Sequence, residues 1–114
     1  PADNIADNSS AAHFCLGALR PARKVDDLRL VGVLVSGLMG PDGGHDQGLG
    51  AAALGSPYAA LAWLANRLAQ EGRTVPAGAV VLTGGLTRAH PVRPGGTLVA
   101  EFGAGLGTVV LRGR

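Results

Sequence analysis

Two short stretches of this chain carry side chains suited to holding a small polar ligand. Asp3, Asp7, Asn8, Ser9 and Ser10 crowd into eight positions directly ahead of an apolar run that begins at Ala11. Carboxylates, amides and hydroxyls of this kind bond local backbone N–H groups, so a loop or helix cap is one reading of the cluster. One or two such residues satisfy a cap, and five exceed what capping requires. A binding role is therefore the second reading. The other stretch is Leu82-Thr-Gly-Gly-Leu86, which closes an apolar run with a hydroxyl and two glycines. Glycine lets a backbone approach a ligand closely, and loops at the ends of strands often hold ligand contacts. A plain turn explains the same residues.

Other candidate chemistry is weaker. The carboxylates are Asp3, Asp7, Asp26, Asp27, Asp42, Asp46, Glu71 and Glu101, and no two stand at the alternate spacing that puts both on one strand face. His13, His45 and His90 share no HxH or HxxxH spacing, so the sequence shows no self-contained metal site. His45 with Asp42 and Asp46 reads as a solvated hairpin tip. Cys15 follows His13 by two positions, but Phe14 and Leu16 flank the thiol and predict a buried structural cysteine. Gly103-Ala-Gly-Leu-Gly107 lacks the GxGxxG spacing, a lysine and a following helix, and reads as a hairpin turn.

The elements that must position these groups follow from pattern. Residues 11–19 form an apolar run expected to be a buried strand, and residues 20–27, with Pro21 and five charges, a surface loop. Residues 28–38 are rich in Val and Leu and read as a strand, with the Pro-Asp-Gly-Gly segment after Gly40 as a turn and a return strand near 47–53. Ser56-Pro57 marks a helix start, because the serine caps and the proline's missing N–H costs nothing at the first position. Leu61, Leu64, Ala65 and Leu68 give that helix an apolar face, and Gly72 ends it. Residues 75–82 and 92–99 each read as a Pro-Gly turn followed by a strand. Residues 97–102 and 108–111 flank the glycine-rich turn as a closing hairpin. The expectation is an α+β domain of five or six strands and one long helix.

Composition narrows the class. The chain has 114 residues, 46% hydrophobic and only 4% aromatic, with 19 glycines, 7 prolines and a net charge of +2. That is one domain at most, with a thin core. A mean hydropathy of +0.25 predicts apolar surface that meets another chain or segment. The basic residues are scattered apart from Arg20, Arg23 and Lys24, with no interleaved aromatics, which argues against nucleic-acid binding. A single cysteine fits a reducing, cytoplasmic setting, and no apolar stretch approaches the ~20 residues of a membrane span. The polar cluster at the first residues, with no Met before it, reads as an active site entered partway. The expectation is the C-terminal part of a larger catalytic unit, with residues 1–114 forming part of a single domain.

The ordered set of segments resembles a known family. Asp3, Ala6, Asp7, Asn8 and Ser10 are followed by a hairpin, then Leu54, Gly55 and Pro57 opening a helix with Ala60, Trp63, Leu64 and Ala65. Gly78, Val80 and the run to Gly84, a Pro-x-Gly turn and a terminal Gly-x-Gly strand complete it. This order is similar to the fumarylacetoacetate hydrolase superfamily, closest to the 2-hydroxypenta-2,4-dienoate (2-keto-4-pentenoate) hydratases and the 4-oxalocrotonate decarboxylases.

The resemblance implies a mixed β-sheet roll and a Mg²⁺ or Mn²⁺ ion that acts as a Lewis acid on a small 2-oxo or 2-hydroxy dienoic acid. Its metal ligands, a Glu-x-Glu pair and a further acidic residue, and a catalytic lysine are expected outside this chain, on a companion segment or chain. A homo-oligomer is also expected. Carried over residue by residue, Ser10 would donate to the substrate carboxylate, Asp7 and Asn8 would shape the pocket, and Thr83 and Gly84 would line it. The implied activity is hydration of dienoates in aromatic meta-cleavage catabolism. Decarboxylation, or a non-catalytic binding or assembly subunit, are the alternatives. Ala79 and Gly96 depart from the family's usual Asp, and Leu86-Thr-Arg-Ala-His90 departs from its usual loop, so Arg88 and His90 are candidates for tuning which acid is accepted.

Overall fold

The computed structural model describes residues 11–37 and 44–114, and the domain is α+β as expected. Four strands form one antiparallel sheet: β1 (Gly32–Ser36), β2 (His45–Leu49), β3 (Thr97–Phe102) and β4 (Gly107–Arg112), in the order β2-β1-β3-β4. Among the described residues one α-helix, α1 (Pro57–Ala69), lies between β2 and β3 in sequence.

The helix starts where the sequence places it. Ser56 Oγ accepts the Tyr58 N–H at 3.2 Å, and Pro57 occupies the first turn. It ends in a Schellman arrangement in which the Gly72 N–H donates to Ala69 and the Arg73 N–H to Leu68. Gly72 takes the φ of +68° that this cap requires. At the closing hairpin the Leu106 N–H donates to the Gly103 carbonyl at 3.1 Å. Ala104 and Gly105 between them have φ of +54° and +70°, the geometry of a type I′ turn that matches strand twist.

Register sorts the sheet into two faces, because directly paired residues share a face. Val33 stands opposite Gly48 and Phe102, Val35 opposite Asp46 and Ala100, and Ala100 opposite Val109. This face is covered: Val33 is buried, and Val35, Ala100, Phe102 and Val109 are half-buried. Residues 11–19 cross it over β4, where Gly17 abuts Val109, and Leu86 crosses it at Gly48. The opposite face carries Leu34, Leu49 and Val110 in the open. The buried apolar core of the described residues is Val31, Val33 and Ala53, gathered where two 3₁₀ turns (Leu28–Leu30 and Gly50–Ala52) meet the ends of β1 and β2. Fifteen large apolar residues among those described are exposed, including Tyr58, Leu61 and Trp63 on α1.

Four expectations change. Residues 11–19 pair with no strand; Phe14, Leu16 and Leu19 are exposed, and so is Cys15. An apolar run becomes a strand only where a partner strand takes its backbone groups, and among the described residues neither edge strand, β2 or β4, forms a ladder with this one. Residues 75–82 contain a turn at Ala77-Gly78 and extended chain outside any ladder, for the same reason. The strand expected over 28–38 begins only at Gly32, because Asp27 accepts the Arg29 N–H at 2.9 Å and caps a 3₁₀ turn first. The return strand ends at Leu49 and passes into the Gly50–Ala52 turn. Four strands therefore replace the five or six expected, counted over the described residues.

Gly48 and Gly50 are fixed by close backbone approach. A Cβ on Gly48 would meet the Leu86 carbonyl, and one on Gly50 would meet that of Leu28. Gly48→Ala should destabilise the domain by about 1–3 kcal/mol, the usual cost of overpacking. Urea denaturation would check this, and an unchanged midpoint would show that the 86–90 segment does not lie on β2.

Candidate functional site

Of the sequence-predicted site residues, Thr83 and Gly84 lie in the described structure, while Asp7, Asn8 and Ser10 fall outside the described residues. Thr83 is half-buried, and Gly84 is exposed with a φ of +111°, a left-handed conformation that an L side chain rarely takes. The chain bends just downstream, at Leu86-Thr87, and residues 86–90 lie against β2.

What holds that return is a constellation the sequence reading did not assemble. Asp46 on β2 shares the covered face with Gly48, two positions on. Its Oδ2 accepts from His90 Nε2 at 2.7 Å, from the Arg88 backbone N–H at 3.2 Å and, at a longer 3.4 Å, from Arg88 Nε. Its Oδ1 accepts the Gln47 N–H at 2.8 Å. The Asp46 and His90 side chains are 15% and 18% exposed, whereas the Arg88 side chain is 82% exposed. His90 must donate from Nε2, since the carboxylate has only lone pairs to offer.

Asp46 is therefore no solvated hairpin tip. It faces a loop 42 to 44 residues away, while the adjacent His45 points out on the exposed side of β2. Strand alternation was the available signal, because it separates Asp46 from His45 and groups it with Gly48. Nothing local to either segment identified the partner. Asp42 lies outside the described residues.

The same contacts set the electrostatics. The His90 hydrogen bond, followed by the N–H of Gln47, favours the charged carboxylate and holds the Asp46 pKa at about 2 against an ordinary 3.8; partial desolvation opposes them. Asp27 is likewise lowered, by its side-chain hydrogen bonds to Arg29.

The described residues do not fit a metal centre of their own: no group of three or more His, Cys, Asp or Glu side chains converges among them. No helix of the described residues is long and apolar enough to cross a membrane.

Comparison with known proteins gives this arrangement its relatives. No family model matches the chain. It is 38% identical over 110 residues to a 4-oxalocrotonate decarboxylase of Pseudomonas putida, covering 95% of this chain and 39% of that protein. It is 42% identical over 108 residues to a 2-keto-4-pentenoate hydratase of Burkholderia vietnamiensis, covering 94% and 39% respectively. Among solved structures it matches the 4-oxalocrotonate decarboxylase from Pseudomonas putida G7 complexed with calcium and acetate. The TM-score is 0.83 at 38% identity, over 98% of this chain and 42% of that one. The same enzyme complexed with magnesium and adipate gives a TM-score of 0.82.

Fold and sequence agree on a small α+β domain of the fumarylacetoacetate hydrolase type. Within that type the chain is similar to 4-oxalocrotonate decarboxylases and 2-keto-4-pentenoate hydratases, and it spans about 39% of the length of these relatives.

The lowered Asp46 pKa gives a signed expectation. A depressed carboxylate stabilises the fold fully above its unfolded value near 3.8 and loses that contribution as pH falls through about 2. The side-chain carboxyl ¹³C resonance of Asp46 should titrate near 2, and a midpoint near 3.8 would mean that the His90 contact is not made in solution.

Proposed function

We propose that this chain is the C-terminal, substrate-holding part of a divalent-metal lyase that adds water to 2-hydroxy-2,4-dienoates, giving 4-hydroxy-2-oxo acids. The observation that carries the reading is 35–42% identity to named hydratases and decarboxylases over about nine tenths or more of the chain, together with the shared fold. The solved decarboxylase binds magnesium or calcium together with small carboxylates, which supports a divalent ion and a carboxylate substrate here. Because the two solved structures named above are of a decarboxylase, loss of CO₂ from a 4-oxalocrotonate-like acid is the second reading. Both reactions act on an unsaturated 2-oxo acid.

In this reading the metal ligands come from a companion segment or chain. The chain's only glutamates are Glu71 and Glu101, so it contains no Glu-x-Glu pair. The companion would also cover the surface this fold leaves bare: the open sheet face with Leu34, Leu49 and Val110, and the sides of α1 with Leu61 and Trp63. Burying such side chains stabilises an assembly by roughly 1.5–3 kcal/mol each. The Thr83 hydroxyl and the Gly84 backbone would line the acid, with Ser10 donating to its carboxylate and Asp7 and Asn8 shaping the pocket.

The test is loss of 2-hydroxypentadienoate absorbance in the presence of Mg²⁺ or Mn²⁺. Residues 1–114 alone should be inactive, and joining them to a segment carrying the metal ligands should give turnover. Turnover by residues 1–114 alone would overturn the placement of the ligands. Persistent inactivity of the completed protein toward both dienoate and oxalocrotonate would favour a non-catalytic binding or assembly role. In an active completed enzyme, Thr83→Val should lower kcat/KM by roughly tenfold, the value of one hydrogen bond to a charged group; an unchanged value would remove Thr83 from the site.

A further inference from the structure

We propose that Asp46 is a positioning residue for the substrate loop, holding residues 83–90 against β2 and thereby fixing where Thr83 and Gly84 stand. The inference deepens the functional reading above and rests on it. Its basis is where the loop's hydrogen bonds go. Residues 80–92 belong to no ladder, and among the described residues every hydrogen bond they make to another part of the chain ends on Asp46. A loop without ladder bonds is set by whatever few contacts it makes, and a partly buried charged acceptor is the strongest of these.

Sterics and electrostatics act at adjacent points of one strand face. Gly48 lets the Leu86 backbone lie flat on β2 because any Cβ there would strike the Leu86 carbonyl. Asp46 then receives the chain two and four residues later, through the Arg88 N–H and the His90 ring. Gly84, with its left-handed φ, stands two residues upstream of the bend at Leu86-Thr87. A loop fastened at Leu86 to His90 leaves the preceding Thr83-Gly84 little freedom, so its hydroxyl and backbone are placed before substrate arrives. In this arrangement His90 and the Arg88 backbone face the sheet. Their contribution to acid selection runs through loop placement.

Asp46→Ala removes the acceptor, whereas Asp46→Asn keeps one oxygen for the Arg88 and His90 donors and loses the charge and the second acceptor oxygen. His90→Gln is a milder second variant should Asp46→Ala fail to fold. Amide hydrogen exchange on residues 1–114 should rise roughly tenfold or more at Arg88 and its loop neighbours in Asp46→Ala, with much of the protection restored in Asp46→Asn. In the completed enzyme the dienoate KM should rise roughly tenfold with a smaller change in kcat, again largely restored by Asn. Unchanged loop exchange in Asp46→Ala would overturn the anchor. Altered exchange with unchanged KM and kcat would overturn its role in placing Thr83 and Gly84. If the completed wild-type enzyme turns over neither acid, the functional reading fails, while the exchange comparison still decides whether Asp46 holds the loop.

Discussion

The carboxylate of Asp46 gathers donors from three places: the next residue on its own strand, the backbone of Arg88 and the ring of His90. The path of the 83–90 segment depends on this one group, since that segment has no ladder to guide it. The charge is kept because hydrogen bonds that favour the ionised form outweigh the partial loss of solvent, which is why the pKa falls instead of rising. A neutral polar group at the same position would offer fewer and weaker acceptor sites.

Around that anchor the domain is thin. Its buried core is confined to the junction of β1, β2 and two 3₁₀ turns, while one sheet face and much of the helix surface are apolar and open. A helix that is apolar on most of its circumference is the kind found inside larger assemblies. That fits a chain spanning about 39% of its relatives' length. The geometry thus divides the labour of the fold. The covered face carries the loop with Thr83 and Gly84, and the open face offers area to a neighbour.

The elements that were legible in the sequence are those whose signals are local. Ser56-Pro57 and Gly72 bound the helix because capping and left-handed termination need particular residues at particular places. The glycine-rich turn after Phe102 was legible because positive φ at two successive positions selects small residues. Residues 11–19 and 75–82 were misjudged because hydrophobicity alone does not make a strand, and pairing depends on a partner edge that the segment itself does not encode. Cys15 was misplaced with its segment: apolar neighbours in sequence say nothing of what covers them in space.

The sequence by itself determined the α+β class, the helix with its caps, the closing hairpin and, through the ordered motifs, the enzymes that the chain resembles. It also marked Thr83 and Gly84 as the end of an apolar run. Only the tertiary structure decided that Asp46, 42 and 44 residues from Arg88 and His90, fastens the loop that follows them. The physical reason is that caps and turns are written in neighbouring residues, whereas a charged anchor between a strand and a distant loop exists only once register has fixed which side of the sheet its carboxylate faces.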